Sequence, residues 1–225
     1  VRSASKRIIA VGVALATATA TVAAPALGAA PPSLDFDTVF ATAKEPRQLH
    51  YQVMYRTGNG IHRLEIWRDG TARLKRVTDG RVTTLVSHNP RTADFSMQVI
   101  DPRKHTSTHV DRASLYRIGN FTDWFDLAHG LRHPKGSYRL LARAPLAPVP
   151  MTPGACRWYD LKEAGRTTSI CWDAANAEPL LMASGPGHLI WRVTALDRAP
   201  LGAATFHAND RGFIHDDATR DIQND

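Results

Sequence analysis

Residues 49–110 read LHYQVMYRTGNGIHRLEIWRDGTARLKRVTDGRVTTLVSHNPRTADFSMQVIDPRKHTSTHV. Tight-turn chemistry punctuates this run about every ten residues: Thr57-Gly58-Asn59-Gly60, Asp69-Gly70, Asp79-Gly80, Asn89-Pro90-Arg91 and Asp101-Pro102. Asp-Gly and Asn-Gly pairs supply the positive φ angles that primed hairpin turns demand, so each joins two neighbouring antiparallel strands. Between turns the side chains alternate. Leu49, Tyr51, Val53 and Tyr55 oppose His50, Gln52, Met54 and Arg56, and Leu64 and Ile66 oppose Arg63, Glu65 and Trp67. Phe95, Met97 and Val99 mark one side of residues 94–100, whereas 71–78 and 81–88 hold few apolar groups, chiefly Leu74, Val77, Val82, Leu85 and Val86. Short strands at even spacing predict an antiparallel meander.

Such a sheet has one half-buried face and one solvated face, and its thin apolar lining needs a cover. The next residues supply one. Asp111 can cap a helix through Ile118 that Gly119 ends, and Thr122 can cap a second over 123–129 that Gly130 stops. Ile118, Phe121, Trp124, Phe125, Leu127 and Leu131 form the densest apolar patch in the chain. Solid core packing and a movable lid over a hydrophobic cavity are both open readings of this insert.

On either side the pattern is consistent. Ser33 can cap a short amphipathic helix over 34–44. Further strands are predicted at 137–143, 180–183, 188–196 and around 204–207, with an extended Pro-rich crossing at 145–153. Residues 156–161 and 166–172 form a hairpin around Lys162-Glu163-Ala164-Gly165, which places Cys156 directly opposite Cys171. Directly opposed residues have Cα atoms about 4.5–5.5 Å apart, inside the disulfide window. The expected fold is mainly β with short helices: an antiparallel meander curved into an unclosed half-barrel, covered by two or three helices.

Composition bounds the setting. Arg2, Lys6 and Arg7 precede an uncharged Ala-rich run over 8–22, with small residues near Ala26-Leu27-Gly28. This reads as a cleavable secretory signal peptide over 1–28, followed by one domain over 29–209 and an acidic, flexible tail over 210–225. The formal charge of +7 falls to +4 once those three basic residues leave. The remaining cations are scattered rather than gathered in a basic stripe with aromatics, which argues against a nucleic-acid partner. A periplasmic or secreted location follows, and two cysteines fit an oxidising compartment.

No nucleophile elbow, P-loop, dinucleotide fingerprint or His-Glu-x-x-His occurs. His129 and His133 stand four apart, but Gly130 and Pro134 break the helix that would align them. His105 and His109 lie about 13 Å apart at strand rise, too far to share a metal. His207, Asp210, His215, Asp216 and Asp217 read as solvated polar residues. No catalytic residue, metal or cofactor is expected, and the chain is read as not an enzyme.

The order of elements resembles the bacterial lipoprotein carrier superfamily, the LolA/LolB-like fold. The turn Trp67-Arg68-Asp69-Gly70-Thr71 stands where those carriers show a basic-Pro-Gly-aromatic turn, without the Pro, and Arg68 is the basic residue that matches. The pair Cys156-Arg157-Trp158-Tyr159 and Ile170-Cys171-Trp172-Asp173, followed by Glu178-Pro179-Leu180, is similar to periplasmic proteins with this fold. The resemblance implies a monomeric, non-enzymatic protein that takes up an acyl chain, lipid or lipoprotein in a half-barrel cavity. An envelope protein or membrane surface would be a further partner. The expected lining is Tyr51, Val53, Leu64, Ile66, Leu74, Phe95 and Met97 from the sheet, with Ile118, Trp124, Phe125 and Leu127 from the insert. The alternatives are a solid-core envelope interaction module without a small ligand, and a histidine-based hydrolase or metalloprotein.

Overall fold

The turn residues hold the sheet as the sequence predicts. Asp79 and Gly80 stand at φ 52° and 64°, both in the left-handed region that a primed turn requires. The computed structural model describes residues 32–220 apart from 59, 93, 118–122, 147–151, 186 and 219 and the side chains of 116 and 117. The expected signal segment, the expected cap Thr122, and Ile118 and Phe121 of the insert lie outside the described residues.

Six meander strands come first: β1 (Gln48–Thr57), β2 (Gly60–Asp69), β3 (Arg73–Thr78), β4 (Val82–Asn89), β5 (Asp94–Asp101) and β6 (Thr106–Asp111). After the helical insert follow β7 (Tyr138–Arg143), β8 (Arg157–Glu163), β9 (Arg166–Asp173), β10 (Glu178–Ala183), β11 (Leu189–Asp197) and β12 (Ile214–Asp217). They form one sheet in the order β12-β6-β5-β4-β3-β2-β1-β11-β10-β9-β8-β7. The end strands β12 and β7 do not pair with each other, so the sheet is an unclosed half-barrel. All pairings are antiparallel hairpins or neighbours except β12 on β6, which is parallel. The free edge of β7 is met by the N-terminal segment: Leu34 N donates to Leu140 O at 2.8 Å and Leu140 N donates to Ser33 Oγ at 3.0 Å. A sheet edge with unpaired amides is thereby blunted.

The described helices are short: α1 (Phe36–Val39), α2 (Arg112–Arg117) and α3 (Trp124–His129). Asp111 accepts from Ser114 N at 2.8 Å, the expected N-cap bond of α2. In α3 the cap is Asp123, accepting from Asp126 N at 2.9 Å, and Gly130 ends the helix at φ 64°. The predicted helix over 34–44 is reduced to one turn. Asp35 rather than Ser33 caps it, accepting from Thr38 N at 2.8 Å. Phe36 and Phe40 turn inward and are almost fully buried, while Leu34 stays exposed.

Three other expectations are corrected. The disulfide hairpin turns on two residues, Ala164 and Gly165 at φ 48° and 76°, instead of four. Glu163 therefore faces Arg166, the register moves by two, and Cys171 lies opposite Trp158. Cys156, just before β8, still reaches Cys171 with Cα atoms 5.3 Å apart, and the disulfide forms. A two-residue slip preserves which face each side chain takes, and that is why the pairing survives it. Second, the strand expected around 204–207 is a 3₁₀ turn, Ala203–Phe206. Third, the region expected as a flexible acidic tail contributes β12, and Asp210 accepts from Gln98 Nε2 and Ser107 Oγ, each at 2.8 Å, on the outer face of the sheet. Among the described residues, no helix is long and apolar enough to cross a membrane.

Candidate functional site

The register lets the inner face be read as rows that cross the strands. One row runs Val110, Met97, Val86, Leu74, Arg68, Leu49 from β6 to β1. All six are buried, at 8% exposure or less. The adjacent row runs Thr108, Val99, Thr84, Arg76, Ile66, Tyr51. Here Ile66 and Tyr51 are buried, but Thr108, Val99, Thr84 and Arg76 are only half-buried. In the next row Val82 and Thr78 are half-buried, whereas Leu64, Val53 and Val193 are buried. Within these three rows the inner face is thus sealed over β1, β2 and β11, and half-open over one part of β3 to β6. That half-open part is amphipathic, with valine methyls and threonine hydroxyls around one arginine.

The sealed part holds a charged cluster. Arg68, fully buried, pairs with the equally buried Glu178 and donates from Nη2 to the Asn176 carbonyl at 2.9 Å. His129 Nδ1 lies 2.7 Å from Arg68 Nη1, and Glu45 Oε2 lies 3.6 Å from both Arg68 and His129. Charges removed from water persist only when paired in this way. Three atoms of the cluster, Arg68 Nε, Glu178 Oε2 and Glu45 Oε2, have no hydrogen-bond partner. Tyr51 donates to the Ala128 carbonyl at 3.3 Å. Burial and the nearby Glu178 charge push its hydroxyl well above the ordinary phenol range, so it remains a donor. Arg68 is therefore not an exposed turn cation; it is a buried partner for two carboxylates.

Arg76 presents the opposite case on the next strand. It makes no hydrogen bond or ion pair among the described residues, and Tyr51, Tyr55 and Glu178 act on it only through space. Burial pulls its pKa below the usual arginine value.

The sequence-selected lining residues belong to the interior. Tyr51, Val53, Leu64, Ile66, Leu74, Phe95, Met97 and Leu127 are members of the core cluster, and Trp124 and Phe125 pack against it half-buried. Trp124 stacks on His88, with ring centroids 4.5 Å apart and planes 9° from parallel. Phe125 lies 4.7 Å from the His133 ring and 5.9 Å from Phe36, joining α3 to α1. The half-open residues Arg76, Thr84, Val99 and Thr108 were not selected. Strand alternation places them on the same face; polarity hid Arg76, Thr84 and Thr108, while Val99 was read on the side of Phe95 and Met97 but not selected.

His129 and His133 serve separate clusters. Beyond the Gly130 stop, His133 Nδ1 lies 2.9 Å from Asp126 and 3.0 Å from Asp123, and its Nε2 lies 3.1 Å from Asp37. Burial would lower the His133 pKa, but the Asp126 hydrogen bond and the Asp123 and Asp126 charges outweigh it and raise it. Burial pushes Asp123 up. The same three side chains bring one ligand atom each within 4.8 Å of one another, and here those atoms bond among themselves. The sequence offered Thr122 as the cap of this helix; the Asp123 cap bond to Asp126 N and the closure by His133 and Asp37 required the fold.

No family model and no curated protein matches the chain. Among solved structures it is similar to the crystal structure of MucB, with 13% identity and a TM-score of 0.37, over 76% of this chain and 61% of that one. The chain therefore spans less than two thirds of the length of that protein.

Proposed function

We propose that this domain holds an acyl chain or a similarly apolar ligand on the half-open part of its inner face, as a non-enzymatic carrier or sensor outside the cytoplasm. The single observation behind this reading is the burial boundary along the rows. Val82, Thr84 and Val99 continue rows that are sealed on β1 and β2 but stay half-buried themselves. Covering them with a ligand removes apolar surface from water, at about 25 cal/mol per Å² before the ordering costs of association. The unclosed sheet and the order of elements, which resembles the lipoprotein carriers, support the same reading. So does the signal-like sequence at the start of the chain. Native mass spectrometry of protein gently extracted from the compartment of its export is the test. Co-purified lipid or fatty acid is the expected result; ligand-free protein that also fails to bind fluorescent fatty acids would overturn the reading.

A second reading, an interaction module, draws on a different observation. Ile61 and Met54 are exposed large apolar residues and, with Leu189 and Ile190, line a hollow of ≈ 170 Å³ at the β1–β2 end. Exposed apolar surface of this kind also marks protein contacts.

A further inference from the structure

We infer that the ligand is a fatty acid, its carboxylate bound by Arg76 and its chain laid along Val82, Thr84 and Val99. This rests on the reading that the inner face takes an apolar ligand, and it adds the chemistry of the head group.

The argument compares two arginines of one face. Arg68 and Arg76 are the lysine or arginine residues that alternation places on the inner face of β1 to β6 among the described residues. Arg68 is surrounded: Glu178, Glu45, His129 and a main-chain carbonyl meet it. Arg76, paired across the ladder with Ile66 and Thr84, has none of these. A guanidinium cannot shed its proton at neutral pH, so a half-buried one without an anion carries an uncompensated desolvation cost. Glu178 offsets that cost only in part and through space, because its direct contact is with Arg68. An anion supplied from outside would offset it by direct contact.

The anion's chemistry follows from the number and shape of the donors. One arginine offers one positive charge in a planar fork, which matches the two oxygens of a carboxylate. A phosphate headgroup carries more charge and more acceptors than this single cation answers. The flanking surface then selects for an apolar body, since Val99 lies in Arg76's own row and Val82 in the adjacent one. Tyr55, half-buried on β1, has its hydroxyl pushed up by burial, which keeps it neutral beside an incoming anion.

The test is isothermal titration of the full folded chain with palmitate, with hexadecanol as its uncharged counterpart and with dodecyl phosphate. Palmitate is expected to bind about tenfold or more tightly than hexadecanol. Arg76→Gln is expected to erase that difference, and Arg76→Lys to restore part of it. The preference in the unmodified protein is itself a readout, so the outcome does not depend on the variants folding. Equal binding of palmitate and hexadecanol would overturn the carboxylate assignment and leave the apolar site standing, as would a preference for dodecyl phosphate. Binding of none of the three would overturn both.

Discussion

Arg68 and Glu178, 110 positions apart in sequence, form a buried ion pair between β2 and β10, strands separated in the sheet by β1 and β11. In a flat sheet three strand steps span about 14 Å, beyond the comfortable reach of the two side chains. Their meeting requires the sheet to curl, and it locks that curl at the sealed end of the inner face.

Removing one member of this pair strands the other. Arg68→Leu is expected to cost about 3–5 kcal/mol, because Glu178 is left charged and buried. Replacing both, as Arg68→Met with Glu178→Leu, is expected to recover much of that loss. Urea denaturation of the two variants checks this; equal destabilisation by single and double variants would contradict it.

The disulfide lies at the opposite side of the β8–β9 hairpin from its turn. Cys156 and Cys171 enclose a loop with a sequence separation of 15. The chain-entropy model assigns such a loop about 3 kcal/mol. Reduction, or paired Cys→Ala replacement, is expected to lower the unfolding free energy by that order, as read from denaturation with and without dithiothreitol.

Gly130 ends α3 at a positive φ, and a Cβ there would stand 2.7 Å from Trp191 Cη2. Trp191 is itself held by donation to the Pro179 carbonyl at 2.8 Å and has little room to yield. Gly130→Ala is expected to destabilise by about 2 kcal/mol, combining left-handed strain with displacement of a buried ring. Thermal denaturation provides the check, and an unchanged midpoint would contradict it.

His133 ties α1 to α3 through Asp37, Asp123 and Asp126 while packing on Phe36 and Phe125. Its folded pKa is raised above the unfolded 6.5, so its contribution to stability is complete below that value and fades as pH rises through the folded one. Relative to His133→Asn, the natural protein is expected to lose stability as the pH rises above about 6.5 and through the raised folded pKa. Denaturation midpoints across that rise test it, and parallel curves would contradict the assignment.

The meander was legible because its turns are local. Asp69-Gly70 and Asp79-Gly80 fix hairpins from neighbouring residues, and alternation then fixes faces. What escaped the sequence was long-range. Arg68 read as a turn cation because Glu178 and Glu45 reach it only through the closed fold. The hairpin register slipped because Ala164 occupies a left-handed position that alanine rarely takes, so no Asn-Gly or Asp-Gly marked the true turn. Strand β12 was hidden because its residues Ile214, His215, Asp216 and Asp217 carry no apolar alternation; it is held by main-chain pairing to β6 and by Asp210 on the outer face. The half-open surface around Arg76 was missed for a related reason: selection by hydrophobicity picks out the filled interior, and the open part of a face is where polar residues are tolerated.

The central claim is that this open part admits an apolar molecule, and filling it with protein atoms tests that most directly. The measurement is titration with the uncharged fluorophore N-phenyl-1-naphthylamine of the natural chain, of Val99→Trp on the inner face, and of Thr83→Trp on the outer. Saturable fluorescence that survives Thr83→Trp and is lost in Val99→Trp is the expected result. No saturable signal in the natural chain, or equal signal in all three, would contradict the account.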